Sequence, residues 1–345
     1  MKFDVLTKSF TKKELPDSEV ELVGEVPAEA TAPYREQALK HLAEHLEMPG
    51  FRPGKVPTTI ALQKVGEIGV LEEAVDHFVR EFYPELVETH KLDVVGRPHI
   101  QITKLAPGNP VGLTIRTAVY PEVTLPKNWL KTGGNIPLEM TLPATDEEVG
   151  QTIESIRQSR KAPSAEGAEG ALPELNDEFA KSVGAFETLD ALKAQIKKGI
   201  GEEKERKAKD TRRGKIIDTL LADVKVDIPT IFVESELDKI MSQMKEDVVR
   251  FGVKYEDYLK QINKTEEELR KEFRDQATKR AKLQLTLNKI AGEEKIEADK
   301  EAVEKEMKHA LEHFPAAKPE LVRIHIETVL RNEKVLQLLE KTEDK

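Results

Sequence analysis

The sequence of 345 residues contains no cysteine, which excludes disulfide bonds, thiolate catalysis and thiolate metal sites. Aromatic residues make up only 5% of the chain, with a single Trp. No run approaches the roughly 18 consecutive apolar residues that a membrane helix needs. The first residues, Met1 to Asp4, show no apolar signal-sequence core. We therefore expect a cytoplasmic protein that has no membrane partner.

The chain also lacks an excess of basic residues. It has 54 Lys and Arg and 64 Asp and Glu, which gives a formal net charge of −10. A general nucleic-acid binder would be broadly basic, so we expect no DNA partner and only a local contact with any RNA. There is no Gly-rich phosphate loop followed by Lys and Ser or Thr, no G-x-S-x-G and no G-x-G-x-x-G. These absences predict a protein without a cofactor and without catalytic residues.

Two histidine pairs, His41 with His45 and His309 with His313, fit the pattern H-x-x-E-H. A hydrolytic zinc site needs a third protein ligand and an open position for water. The sequence shows no obvious third ligand, and a Glu-rich helical chain produces such patterns easily. We therefore interpret these residues as solvated helix-surface histidines and predict no metal, with a zinc site as the alternative.

Residues 2–10 and 18–26 alternate at a period of two and predict strands. Helical patterns follow, and two more strands are predicted around 99–105 and 111–120. Strands, then helices, then strands indicate an α+β domain over residues 1–120, in which the helices pack on an antiparallel sheet. At about 150 residues per domain, the length of the chain predicts two or three domains.

Three helices are predicted between these strands from the spacing of apolar residues. The first opens at Thr31 and Pro33, and a short second helix ends at Gly66. The third begins near Val70 and should be broken or kinked at Pro84, because proline cannot donate the helical hydrogen bond.

Residues 121–171 predict an extended linker followed by a connecting helix. Four prolines and the pair Gly133-Gly134 interrupt regular structure before residue 144. Thr145 and Glu148 then form a capping box that opens the helix. Residues 163–170 are small and polar and predict a connector without packing capacity.

Residues 172–345 predict an elongated all-α domain with arm-like helices. A helix from 188 to 223 would be roughly 54 Å long at 1.5 Å per residue, although its middle, residues 201–215, is charged on every side. The alternative is an ordinary solvated helix, or two helices broken at a glycine. The next helix should carry one apolar face from Val233 to Phe251, and a second capping box at Thr265 opens a further helix.

The segment from Met48 to Pro57 separates two helical patterns and contains three prolines and two glycines, which make it a stiff loop. Phe51 and Arg52 stand at its tip, and no acidic residue occurs between Glu47 and Glu67. A rigid basic tip that carries one large apolar side chain is suited to docking. The alternative is a plain helix connection whose Phe packs into its own core.

The sequence Gly50-Phe51-Arg52-Pro53-Gly54-Lys55 resembles the signature loop of trigger factor, the bacterial chaperone that binds nascent chains at the ribosome. This resemblance implies docking on the large ribosomal subunit beside the exit tunnel through Phe51, Arg52 and Pro53. The third position is often Lys in that family and is Pro here, so an ionic contact would have to come from Lys55 or Lys64.

The chain departs from the family pattern near residues 162–171, where trigger factors usually carry a prolyl isomerase domain of the FKBP type. Only the short connector is present, while both flanks resemble the family. We therefore expect an ATP-independent chaperone that holds nascent and unfolded polypeptides and is not an enzyme. A prolyl isomerase and a helical scaffold protein are the alternatives, and a homodimer off the ribosome is left open.

Candidates for a client-binding surface are large, adaptable apolar residues in the helical region. They are Phe232, Met241, Met244, Met307 and Phe314. The alternative is that these residues belong to the core, as apolar residues at helical spacing commonly do.

Overall fold

The computed structural model describes residues 3–52, 54–160 and 172–341. The chain divides into two compact units: unit 1 comprises Met1–Thr124 and Lys225–Leu285, and unit 2 comprises Leu125–Val224 and Thr286–Lys345. Unit 1 therefore joins two distant stretches of sequence. The domain boundaries that the sequence suggests, at residues 120 and 171, stay a prediction.

Unit 1 is built on a four-stranded antiparallel sheet with helices packed against it, which confirms the predicted α+β class. The spatial order of the strands is β1-β2-β4-β3. The strands are β1 Thr11–Leu15, β2 Glu19–Val26, β3 Val94–Lys104 and β4 Val111–Val119. The helices of this region are α1 Asp4–Ser9, α2 Ala28–Thr31, α3 Arg35–His45 and α4 Thr58–Thr89, with a 3₁₀ turn over Ala32–Tyr34.

The core of this region lies between the two central strands and α4. Leu22 of β2 and Ile115 of β4 are fully buried and lie directly opposite each other. They pack in one cluster with Phe78 and Phe82 of α4, whose rings stack at 5.0 Å between centroids. Alternate residues of the strands and every fourth residue of the helix thus supply one apolar layer.

The strand predicted over residues 2–10 is wrong, because this segment forms α1. Phe3, Thr7 and Phe10 are buried at helical spacing, whereas Val5 is 87% exposed. A segment this short fits both a period of two and a period of 3.6, and packing against α4 decides for the helix. The strand β1 (Thr11–Leu15) was not predicted because it is an exposed edge strand without apolar alternation.

Helix α4 carries an interruption at Gly66, whose φ of 79° and ψ of 165° are not helical. The predicted end of a short helix at this glycine is therefore confirmed. Pro84, in contrast, does not end the helix, which continues to Thr89 with no other residue outside the helical region. Neighbouring Phe82 and Leu86 are fully buried. The stability gained by packing this face against the sheet therefore exceeds the cost of the hydrogen bond that proline cannot make.

Replacing Gly66 with alanine should lower the free energy of unfolding by about 1–3 kcal/mol, because this region of φ and ψ is accessible almost only to glycine. No atom lies within 4 Å of a Cβ built at Gly66, so the cost is backbone strain alone. Gly199, a helical glycine that also has no atom within 4 Å, is the matched control. Gly199→Ala should stabilise the protein by about 0.5–1 kcal/mol.

Urea unfolding followed by circular dichroism measures both variants. If Gly66→Ala proves as stabilising as Gly199→Ala, then Gly66 does not hold α4 in a conformation that requires glycine.

The remainder of the described chain is helical, as predicted, except for the linker over residues 121–143. Unit 2 contains α5 Asp146–Ser159, α6 Asp177–Val183, α7 Leu189–Asp223, α11 Lys300–His313 and α12 Pro319–Glu340. Unit 1 contains α8 Thr230–Arg250 and α9 Tyr255–Gln261, and α10 Glu266–Glu293 contributes to both units. No helix of the described residues is long and apolar enough to cross a membrane.

The predicted helix starts are confirmed by their hydrogen bonds. Thr145 and Glu148 form a complete capping box, and so do Thr265 and Glu268. The side chain of Thr188 accepts a hydrogen bond from the backbone of α7, and α7 runs unbroken through Gly201 and Gly214. The connector predicted at 163–170 lies outside the described residues.

Arginines at the end of the charged run of α7 pair within unit 2. Arg213 forms two hydrogen bonds of 2.9 Å with Glu333 of α12 and also contacts the carboxylate of Glu340. Hydrogen bonds with Glu340 and Glu333 raise the pKa of Arg213, and Arg213 lowers the pKa of Glu333. Arg212 donates to backbone carbonyls of the linker and of α12, namely Ile136, Gly133 and Glu340. The linker is thus bonded to α7 rather than free.

Helices α8 and α10 are joined within unit 1 by Glu234. Its carboxylate accepts hydrogen bonds from Arg270 and Arg274, each 2.7 Å long. Both hydrogen bonds lower the pKa of Glu234, and the bond from Arg270 has the larger effect. The pair of arginines fixes the register of two helices whose apolar sides already pack together.

Candidate functional site

The stiff loop predicted from the sequence occupies residues 46–57, between the end of α3 and the start of α4. Both of its ends are anchored. Leu46 and Met48 at one end and Val56 at the other pack in one apolar cluster with Ala43 of α3 and Ala61 of α4. The base of the loop therefore belongs to the helix pair, and only its tip is free to contact a partner.

Two turns shape the tip. The backbone N–H of Phe51 donates to the carbonyl of Met48 at 3.2 Å, and that of Lys55 donates to the carbonyl of Arg52 at 3.0 Å. Gly50 and Gly54 have φ values of 92° and 75°, which residues with a Cβ rarely adopt. These glycines therefore allow the chain to reverse twice within a few residues. Pro53 lies outside the described residues.

The side chains of the tip are exposed. Phe51 is 37% exposed, whereas Phe82 of the core is fully buried, so the alternative of a Phe packed into its own core is not what the structure has. Arg52 and Lys55 are also exposed, and neither forms an ion pair with any described residue. No acidic residue occurs between Glu47 and Glu67, so the tip presents two cations without an ion-pair partner in the described chain beside an aromatic ring.

This arrangement is suited to binding. A guanidinium can donate two parallel hydrogen bonds to a phosphate or carboxylate, and an adjacent ring can fill an apolar pocket. Anchoring at Leu46 and Val56 reduces the entropy that the loop would lose on binding.

The predicted client-binding residues differ in burial. Met241 and Met307 are buried in separate core clusters, so their assignment to a client-binding surface is corrected: they pack the interior. Phe232 and Met244 are half-buried, and the ring of Phe232 meets that of Tyr120 at 6.0 Å. Phe314 is 70% exposed and directly follows α11.

Other exposed apolar residues were missed by the sequence analysis. Phe251, placed there on the buried face of α8, is 84% exposed because α8 ends at Arg250 and the chain turns at Gly252. Leu321 and Ile324 of α12 are also exposed. The sequence of α12 does carry a signal for this exposure. Its apolar residues are too many to lie on one buried stripe, so some of them have to be exposed.

One group of described side chains is arranged as metal ligands could be. His41, Glu73 and His77 converge between α3 and α4. This group differs from the H-x-x-E-H pattern of the sequence, because it does not include His45. The Nδ1 atom of His45 lies 2.9 Å from the backbone carbonyl oxygen of His41 instead. Neither His309 nor His313 takes part in such a group within the described part of the chain.

Two family models match the chain. One, described as bacterial trigger factor protein, matches residues 8–156, and the other, described as the C-terminus of bacterial trigger factor protein, matches residues 188–341. The first match contains the loop, and the second begins at the cap of α7.

Relatives and a solved structure agree with these matches. A trigger factor of Caldicellulosiruptor bescii is 27% identical over 77% of this chain and 79% of its own length, and one of Desulforudis audaxviator is 24% identical over 95% of each. A solved structure, reported for promiscuous substrate recognition by the trigger factor chaperone, is 19% identical and covers 97% of this chain and all of its own, with a TM-score of 0.55. That likeness shows the fold. The chain therefore belongs to the trigger factor family, in a form in which only residues 157–187 separate the two matched regions and the middle isomerase region is missing.

Proposed function

We propose that this protein is a ribosome-associated, ATP-independent chaperone that binds nascent polypeptides at the exit of the large ribosomal subunit and holds unfolded chains. The family supports the chaperone role. The observation that carries the proposal is the exposed pair Phe51 and Arg52 on a loop whose base is anchored between two helices. The proposed place of action is the cytoplasm.

Docking would combine two contacts of different chemistry. The ring of Phe51 would fill an apolar pocket, which contributes roughly 1.5–3 kcal/mol. Arg52 would bind phosphate or carboxylate on the ribosome, and Lys55 would add charge that Pro53 does not supply. Gly50 and Gly54 would hold the tip in shape, and residues 1–120 would act as the ribosome-binding domain.

Holding of clients would use the exposed apolar residues of the helical regions. Phe314 and the α12 residues Leu321 and Ile324 are the best placed in unit 2, because they are exposed and follow one another closely in sequence. Phe232 and Met244 would contribute only their exposed parts. Residues 121–171 would serve as linker and connecting helix, and residues 172–345 as the chaperone domain.

The protein should suppress aggregation of an unfolded client without ATP, because its sequence has no nucleotide-binding motif. Light scattering of a diluted denatured client measures this. The triple variant Phe314→Ser, Leu321→Ser, Ile324→Ser should lose most of the suppression, since it removes apolar surface from water-exposed positions. Val5→Ser, a change at an 87% exposed residue of α1, is the matched control and should suppress as the parent does. No suppression by a folded parent chain at several-fold excess would rule out the chaperone proposal.

We also propose that the chain has no prolyl isomerase activity. An isomerase must lower a barrier of about 18–20 kcal/mol for rotation of the X-Pro bond, and FKBP-type sites use an aromatic pocket in a domain of their own. The family matches leave only residues 157–187 for such a domain. Refolding of a protein limited by a proline step should therefore proceed at the same rate with and without this chain. An acceleration that an FKBP-directed inhibitor removes would contradict the proposal.

A further inference from the structure

Three side chains capable of binding a metal converge between α3 and α4. His41 lies one turn before the end of α3, and Glu73 and His77 lie one turn apart on α4. The Nδ1 atom of His41 is 2.8 Å from Oε1 of Glu73, and Nε2 of His77 is 3.3 Å from the same oxygen. The three ligand atoms lie within 4.8 Å of one another. The two helices thus bring three candidate metal ligands close together.

The two imidazole nitrogens that face Glu73 are buried and make no hydrogen bond. Both lie at ion-pair distance from the carboxylate, but the geometry is not that of a hydrogen bond. A buried polar atom without a partner costs free energy and is uncommon in folded proteins. A cation placed among the three groups would satisfy both nitrogens and the carboxylate at once.

The ligand set matches one class of cation. Two neutral imidazoles and a carboxylate are typical ligands of Zn²⁺, which binds them in a tetrahedral arrangement at about 2.0–2.2 Å. Neighbouring ligand atoms in such a site are about 3.3 Å apart. The separation between His77 and Glu73 already has this value, and His41 would move outward by about 0.5 Å to reach it. Hard cations such as Mg²⁺ and Ca²⁺ prefer oxygen ligands and are disfavoured here.

We propose that His41, Glu73 and His77 bind one Zn²⁺ ion, with a fourth position open to water. The ring of His41 is half-exposed, so the group lies near the surface of the helix pair. The ion would join α3 to the part of α4 that follows the interruption at Gly66, across the loop of residues 46–57. Binding would therefore stabilise the pair of helices that holds the loop, because the ion binds the folded arrangement and not the unfolded chain.

The test uses the full chain with His309→Ala and His313→Ala, which remove the other pair of histidines one turn apart. Zinc affinity and stoichiometry are measured by competition with a chromophoric chelator. We expect one Zn²⁺ per chain and a melting temperature that rises with zinc. His77→Gln should weaken binding by about tenfold or more, because even residues that only support a metal ligand contribute 10–100-fold.

His45→Ala is the matched control, because His45 is on the same helix as His41 but outside the group of three. It should bind zinc as the background chain does and keep the rise in melting temperature. If His77→Gln fails to fold, as circular dichroism without metal would reveal, His41→Ala at the half-exposed position replaces it.

Two results would overturn the proposal. The first is a folded background chain that binds no zinc at millimolar concentration. The second is a loss of binding in His45→Ala with full binding in His77→Gln, which would assign the zinc to the surface pair His41 and His45 on α3 alone.

Discussion

Replacing Phe51 and Arg52 together with alanine is expected to weaken ribosome binding by a factor of about 10²–10⁴. The estimate adds roughly 1.5–3 kcal/mol for the buried ring and a similar amount for a charge-assisted hydrogen bond. Co-sedimentation with purified large subunits measures the loss. Binding of the parent chain should weaken as salt rises, because part of the contact is ionic.

The matched control for this experiment is Arg250→Ala with Phe251→Ala. This double variant also removes one Arg and one Phe side chain, but from another exposed position, at the end of α8. The control should bind ribosomes as the parent does. Equal losses in the two variants would show that any exposed Arg and Phe support binding, and an unchanged double variant at Phe51 and Arg52 would show that the loop does not dock.

Replacing Phe82 with alanine is expected to lower the free energy of unfolding by about 3–5 kcal/mol. Its ring is fully buried and lies 5.5 Å from the ring of Phe3, 5.2 Å from that of Phe10 and 5.0 Å from that of Phe78. Removing it leaves a cavity that rigid neighbours on the sheet and α1 cannot fill.

Phe51→Ala is the matched control for Phe82→Ala, since it removes the same side chain from an exposed loop, and it should change stability by less than about 0.5 kcal/mol. Urea unfolding followed by circular dichroism measures both variants. The only tryptophan, Trp129, belongs to unit 2 and reports that unit separately by fluorescence. A large loss of stability in Phe51→Ala would mean that Phe51 supports the core rather than a partner.

The loop and most helices were predictable because their causes are local. Proline and glycine content separates α3 from α4, and capping side chains at Thr145, Thr188 and Thr265 mark where helices begin. Each of these signals acts within a few residues of the chain. Their physical effect is large enough that tertiary packing does not reverse it.

Other features depend on contacts between distant residues and were not predictable. Unit 1 is completed by residues 225–285, which the backbone pairing of Thr124 with Lys225 brings to the sheet region. Ser18 likewise bonds the side chain of Asp227 at 2.8 Å. No periodicity of the sequence reports such partners. Glu73 and His77, which lie beside His41, were missed for the same reason, because both belong to another helix.

Burial of individual apolar residues was predictable only in part. Val233 and Phe251 fall on the same predicted face of α8, yet Val233 is buried and Phe251 is exposed. The difference arises where the helix ends, and an end shifts by one residue without a clear sequence signal. Helix periodicity therefore identified the core side of α8 but not the residues available to a client.

The central claim, that the loop tip contacts the ribosome, is tested most directly by placing a photoreactive phenylalanine analogue at position 51. The purified protein is mixed with ribosomes, irradiated, and the crosslinked partner is identified by mass spectrometry, with the analogue at position 251 as the control. Our account predicts that position 51 crosslinks to large-subunit components around the exit tunnel and that position 251 does not. Crosslinks from position 51 only to its own chain, or equally to both subunits and at both positions, would contradict it.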